Sequence, residues 1–293
     1  MKVLPEPKIP RPAGGISPVA LWALFLLTVR QHVHGRRWMV MAALFLLPAG
    51  LAVLVRATAT NVPGLVVEFL MAFLFLPQAL LPLIALVYAS GIIQDEQEEQ
   101  TLTYLLMRPI PRWAIYLVKM AATLVTTVAL TVVFTLVTYA AVYVGGDTPA
   151  GTVVRRALTA AWIHGLAVAA YVGLFGLIGL YTKRAIVAGI LYAAVVEGLL
   201  ANLPFGLRLV TVIYYARLTA YRSLDFVVTE RGRTEDVAAT AWQLDVRDDP
   251  GLTAHPSLQT CVLVLGLASL GFALLGALYC ARREFHVKTP EGG

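Results

Sequence analysis

The sequence predicts an all-α polytopic membrane protein with six transmembrane helices, on three observations. The 293 residues are 59% hydrophobic and only 14% charged, whereas a soluble domain carries about 25% charged residues. Six apolar stretches approach or exceed the ~20 residues that cross a hydrocarbon core. Lys and Arg collect in alternate connecting segments, the bias that orients membrane helices.

Taken in order, residues 1–17 are rich in proline and basic residues (Pro5, Pro7, Pro10, Pro12, Lys2, Lys8, Arg11) and predict an extended tail. Val19 to Val29 is apolar but short and runs into Arg30, His32, His34, Arg36 and Arg37. A signal peptide does not fit, because charge follows the apolar run and no small-residue cleavage site is present. The pattern predicts an amphipathic helix lying in the membrane interface. Residues 1–37 thus form a tail and interfacial helix, 38–281 a six-span domain, and 282–293 a second tail.

The spans are expected at Trp38–Val55, about Leu65–Ile93, Ile115–Val144, Ala157–Tyr181, Ala185–Leu203 and Leu258–Ala281. Pro77 and Pro82 should kink the second, which neighbouring helices tolerate by satisfying the freed carbonyls. With the amino terminus inside, the inner segments hold Arg36, Arg37, Arg108, Arg112, Lys119, Lys183, Arg184, Arg282 and Arg283. The short outer loops hold only Arg56, Arg155 and Arg156. Both termini are therefore expected in the cytoplasm and the chain in the plasma (inner) membrane. The long outer loop, 204–257, is mixed in charge, with six Arg against seven acids. Its first part, Phe205 to Ala220, predicts a re-entrant or interfacial helical element, and its second part a solvated lid.

Several function classes fall away. The net charge of +6 follows from the basic inner loops, and no interleaving of basic and aromatic residues points to nucleic acid. Cys261 and Cys280 would lie about 28 Å apart on one helix at ~1.5 Å per residue, too far to pair. His32 and His34 fall on different helix faces, so no metal site is expected. Neither HExxH nor G-x-S-x-G occurs. Gly173, Gly176 and Gly179 read as a close helix–helix contact.

The stretch that interrupts this apolar pattern is Gln94 to Lys119, QDEQEEQTLTYLLMRPIPRWAIYLVK. Asp95, Glu96, Glu98 and Glu99 lead into a short amphipathic turn, Thr101 to Met107, with Leu102, Leu105 and Leu106 on one face. Pro109 and Pro111 then break the chain, each with a fixed φ and no N–H. This predicts a short helix at the membrane surface between the second and third spans (residues 94–114), placed to be gripped by a soluble partner.

This stretch resembles the cytoplasmic coupling element of the ABC-2-type permeases, the membrane subunits of a class of ABC exporters. The resemblance rests on Glu96, Glu98 and Glu99, then Thr101-Leu102, Leu105-Leu106, Arg108-Pro109, Arg112 and Lys119, in order over some 25 residues. Gln100 and Val118 depart from it, standing where the family usually has glycine. The six-span layout, the interfacial helix and the large outer loop agree, so the resemblance covers nearly the whole chain. It implies a permease subunit of an ATP-driven exporter, paired with a second copy or a paralogue. Two ABC ATPase subunits would dock on the short helix, and the acids would sit near that helix's N-terminus. Arg108 and Arg112 could instead meet lipid headgroups. The chain has no G-x-x-x-x-G-K-[ST], so ATP and Mg are expected on the partner ATPase, with no cofactor on this chain.

Outside that stretch, Glu197 is the sharpest single residue, because an acid within a span is costly unless paired. His164, in the fourth span, is a candidate partner. Two alternatives follow: a membrane-embedded enzyme using Glu197 and His164, and a non-transporting assembly subunit that keeps the ATPase dock.

Overall fold

The computed structural model describes residues 17–59, 62–98, 110–203, 206–230, 233–242 and 255–282, with the side chains of residues 36, 95–98, 230 and 233 outside that description. Among the described residues six helices are long and apolar enough to cross a membrane: Arg37–Thr58, Gly64–Gln94, Arg112–Tyr143, Ala150–Tyr181, Ala185–Asn202 and Leu258–Arg282. The second and fourth are the most enclosed, with 56% and 67% of their apolar windows buried. They form the centre of the bundle, and the leucine-rich faces of the others look outward. In a bilayer, that outward apolar surface meets lipid rather than water.

Helix α1 (Pro18–His34) opens with Pro18 in its first turn, where a missing N–H costs nothing. It ends at Gly35, whose extended backbone (φ −70°, ψ 153°) turns the chain into the first span. Leu24 packs with Ile110, Ala114 and Ile115, so α1 lies along the start of the third span. Trp22, Leu26 and Leu27 remain exposed on its other side.

The second span absorbs its prolines in two ways. Pro77 sits inside a π-helical stretch, Phe69–Leu80, and Leu81 N–H closes it onto the Leu76 carbonyl. A proline ring clashes with the carbonyl four residues earlier in an α-helix, and a wider turn relieves that contact. Pro82 falls at the start of the next segment, Leu81–Ala89, where helices accept proline.

The fourth span begins at Ala150, behind Pro149, seven residues earlier than the sequence reading placed it. Arg155 and Arg156 are therefore not loop residues. They lie within the helix, Arg155 exposed and Arg156 buried. The glycine row on this span touches three others, because each glycine exposes a strip of backbone to a different neighbour. Gly173 faces the Ser269 carbonyl of the sixth span, Gly176 faces Tyr116 of the third, and Gly179 faces the Ser90 carbonyl of the second. A Cβ at Gly179 would come within 2.6 Å of Ser90 O. Ser269 Oγ adds a bond of 3.0 Å to the Ala169 carbonyl.

After the fifth span come a 3₁₀ turn (Gly206–Val210), helix α2 (Val212–Ser223), strands β1 (Val227–Glu230) and β2 (Arg233–Asp236), and helix α3 (Val237–Trp242). The strands form an antiparallel hairpin, Val227 opposite Asp236 and Glu230 opposite Arg233. α2 is buried against the fourth and sixth spans and the π-helical stretch, in keeping with the apolar helical element expected there. The segment expected next as a solvated lid is exposed along much of its described hairpin but anchored at both ends. Phe226 and Trp242 are buried, and their rings meet Phe69 and Phe73 at centroid distances of 5.0–6.5 Å. The two large aromatic rings flanking the hairpin anchor it, since a buried aromatic side chain removes about 150–250 Å² from solvent.

Candidate functional site

The acidic-to-proline stretch starts on a continuous helix. Helix Gly91–Glu98 carries Asp95, Glu96 and Glu98 at its C-terminal end, and the short helix whose N-terminus they were expected to approach lies outside the described residues. Glu99, Thr101, Leu102, Leu105, Leu106, Arg108 and Pro109 lie outside the described residues. On the far side, Pro111 caps the third span in an extended conformation (ψ 143°) and Arg112 is its first residue. Lys119, two turns on, is buried in the bundle at 4% exposure. Gln94 is fixed to another span: its Nε2 donates to the Gly179 carbonyl at 3.1 Å and to the Thr182 carbonyl. These belong to the end of the fourth span, where carbonyls have no helical N–H to meet.

The opposite ends of the spans carry two buried carboxylates. Glu68, in the first helical segment of the second span, is fully buried. Arg156 of the fourth span approaches it with Nε at 2.9 Å from Oε2 and Nη2 at 2.9 Å from Oε1. Tyr139 of the third span donates to Oε1 at 2.7 Å, and Tyr143, one turn on, donates to Oε2. Arg156 also stacks over Phe226, 5.5 Å from the ring centre, which ties the hairpin to the same group. A charge pair costs free energy to bury, and it persists only where the remaining lone pairs are also satisfied, as they are here.

Glu197 is the second carboxylate, at 1% exposure in the π-helical end of the fifth span. Oε1 accepts from Tyr192 at 2.8 Å and from Val212 N–H at 3.0 Å; Oε2 accepts from Tyr171 at 2.9 Å and from Ile213 N–H at 2.9 Å. Val212 and Ile213 are the first residues of α2, whose opening N–H groups lack partners within the helix. Thr211 Oγ1 accepts from Tyr214 N–H at 3.4 Å. Glu197 is thus the anionic cap of α2, where the helix dipole favours negative charge.

Arg217 joins the two regions from α2. Its Nη1 donates to Asn202 at 2.9 Å and its Nη2 to Gln78 of the second span. Burial pulls its pKa below the ordinary arginine value, and the nearby Tyr171 and Glu197 oppose that fall.

His164 is fully buried, with Nδ1 3.0 Å from Thr135 Oγ1 and its ring 5.4 Å from that of Phe73. Among the described residues no hydrogen bond joins it to Glu197, whose partners are two phenols and two backbone amides. All four of these hydrogen bonds are donated to the two carboxylate oxygens of Glu197. Among the described residues no three His, Cys, Asp or Glu side chains gather to hold a metal ion.

Glu68 and Arg156 escaped the sequence reading, although their signal was present. Glu68 sits at the edge of a charge-free run, Arg156 precedes an apolar run without a break, and Tyr139 and Tyr143 share one helix face at a spacing of four.

Among curated proteins, no sequence matches the chain. A family described as ABC-2 family transporter protein matches residues 34–199, more than half of the chain. The matched region runs from the end of α1 into the fifth span and includes Glu68, the Gln94–Lys119 stretch, Arg156 and Glu197. The chain belongs to the ABC-2 family of transporter proteins.

Proposed function

We propose that this multi-pass membrane protein is the permease subunit of an ATP-driven exporter, working as a pair with itself or a paralogue and served by two copies of a separate ATPase. The observation that carries the reading is family membership over a region containing the acidic-to-proline stretch between the second and third spans. In this reading the Gln94 end faces the cytoplasm of a plasma (inner) membrane protein, as do both termini, and the Glu68 and Glu197 ends face outward. The ATPase grips the segment around Leu102, Leu105 and Leu106. The acids at 95, 96, 98 and 99 meet basic residues on it, giving steering and register more than affinity. ATP and Mg stay on that partner, and outward movement of cargo takes place between the two permease copies. The apolar spans favour a hydrophobic or amphipathic cargo over a highly charged one.

The test is affinity purification of the tagged protein from its native membrane, with ATPase activity assayed on the eluate. A stoichiometric ATPase is expected, lost when Leu105 and Leu106 are both changed to Asp. A protein that purifies alone, with no ATPase bound, overturns the reading.

A further inference from the structure

We infer that Gln94 is a positioning residue that joins the ATPase-docking segment to the fourth and fifth spans, so that displacement of that segment is passed to them. The inference rests on the permease reading above and assigns its mechanical path to particular residues. Four observations carry it.

Helix Gly91–Glu98 is continuous from Gln94 into Asp95 and Glu96, with no turn between the joint and the acids. The Gln94 amide donates to two carbonyls on either side of the helix end, Gly179 and Thr182. The fifth span begins only three residues after Thr182, at Ala185. One side chain therefore holds the end of the fourth span and the turn that starts the fifth. Gly179 completes the joint, because the absence of a Cβ lets the Ser90 backbone seat directly on the fourth span. A rigid-body contact of this kind, backbone on backbone plus a two-pronged donor, transmits displacement without slack. A leucine contact would slide.

The chemistry sets which side chains can replace Gln94. Both groups facing it are acceptors, so a donor is required. Lys presents donors at similar reach and should keep the joint. Glu has nearly the same shape but offers only acceptors, and should break it. Ala removes it.

The experiment uses the permease with its ATPase subunit, reconstituted in lipid, with Cys261 and Cys280 changed to Ala and a Lys183→Cys reporter in the exposed turn between the fourth and fifth spans. The rate of maleimide labelling is compared without nucleotide and after trapping with ATP, Mg and vanadate. In the parent the rate is expected to change about fivefold or more, the lower range of coupling between sites. Gln94→Lys is expected to keep that change, and Gln94→Ala and Gln94→Glu to lose it while still binding the ATPase and trapping vanadate. If the alanine variant does not assemble, the Lys and Glu variants decide. An unchanged response in Gln94→Glu, or a parent that traps vanadate with no change at the reporter, overturns the joint. A preparation with no ATPase partner overturns the permease reading instead.

Discussion

Arg156 grips Glu68 with two of its nitrogens, each 2.9 Å from a different carboxylate oxygen, inside the protein and 88 residues apart in sequence. The pair crosses from the second span to the fourth, and Tyr139 and Tyr143 bring in the third. Removing one partner strands a buried charge. Arg156→Ala should therefore cost about 3–5 kcal/mol, whereas the double change Glu68→Leu with Arg156→Met should recover much of the loss. Thermal unfolding of the purified protein in one detergent, run as a double-mutant cycle, gives the coupling directly.

Glu197→Ala leaves four donors without their acceptor, two of them opening amides of α2. Each unsatisfied buried group costs about 1–3 kcal/mol, less wherever water can enter. The expected result is faster amide hydrogen exchange at Val212 and Ile213, spreading over 212–223, with the third span unaffected. Glu197→Gln should fall between, because one half of the amide is itself a donor. Unchanged protection at these amides in Glu197→Ala would show that α2 holds its place without the carboxylate.

The glycines separate into two kinds. A Cβ at Gly179 would strike the Ser90 carbonyl, and backbone cannot rotate aside; Gly266 and Gly271 have nothing within 4 Å of that position. Gly179→Ala should destabilise by about 1–3 kcal/mol, as overpacking does. Gly266→Ala and Gly271→Ala should be neutral or stabilise by up to about 1 kcal/mol, through helix propensity. Melting temperatures of the three variants, measured side by side, check the division.

Trp242 is predicted to matter more than the exposed residues of the hairpin beside it. Its ring packs on Phe69, Phe73 and Phe226, and Trp242→Ala should cost about 3–5 kcal/mol. Val227 is 49% exposed on the hairpin, and Val227→Thr should stay within about 0.5 kcal/mol. Equal effects of the two in the same assay would contradict the packing described for this segment.

The spans were legible in the sequence because a helix must satisfy its backbone within itself in lipid, so length and apolarity suffice. Their ends were less so. The start of the fourth was hidden by Arg155 and Arg156, which read as loop residues because single-sequence patterns carry no information on pairing. The aromatic rings at 226 and 242 were likewise masked by acids around them. Glu197 could be picked out by its cost in a span, but its partners could not: Val212 and Ile213 contribute backbone amides, and no side-chain pattern announces a backbone donor. The glycine row on the fourth span was readable as a contact, without saying that it meets three neighbours. The acidic-to-proline stretch stood out through residue order alone.

The π-helical stretch around Pro77 sets how stiff the second span is. Proline has no N–H, so one carbonyl on the preceding turn lacks a helical partner whether the turn is wound as α or π. Bending there strains one backbone bond fewer than in a helix whose every amide is paired. The π-helical stretch thus lies between the end of the span that holds Glu68 and the end that holds Gln94. A fully bonded α-helix of the same length would resist a tilt between its two ends more strongly than this span does.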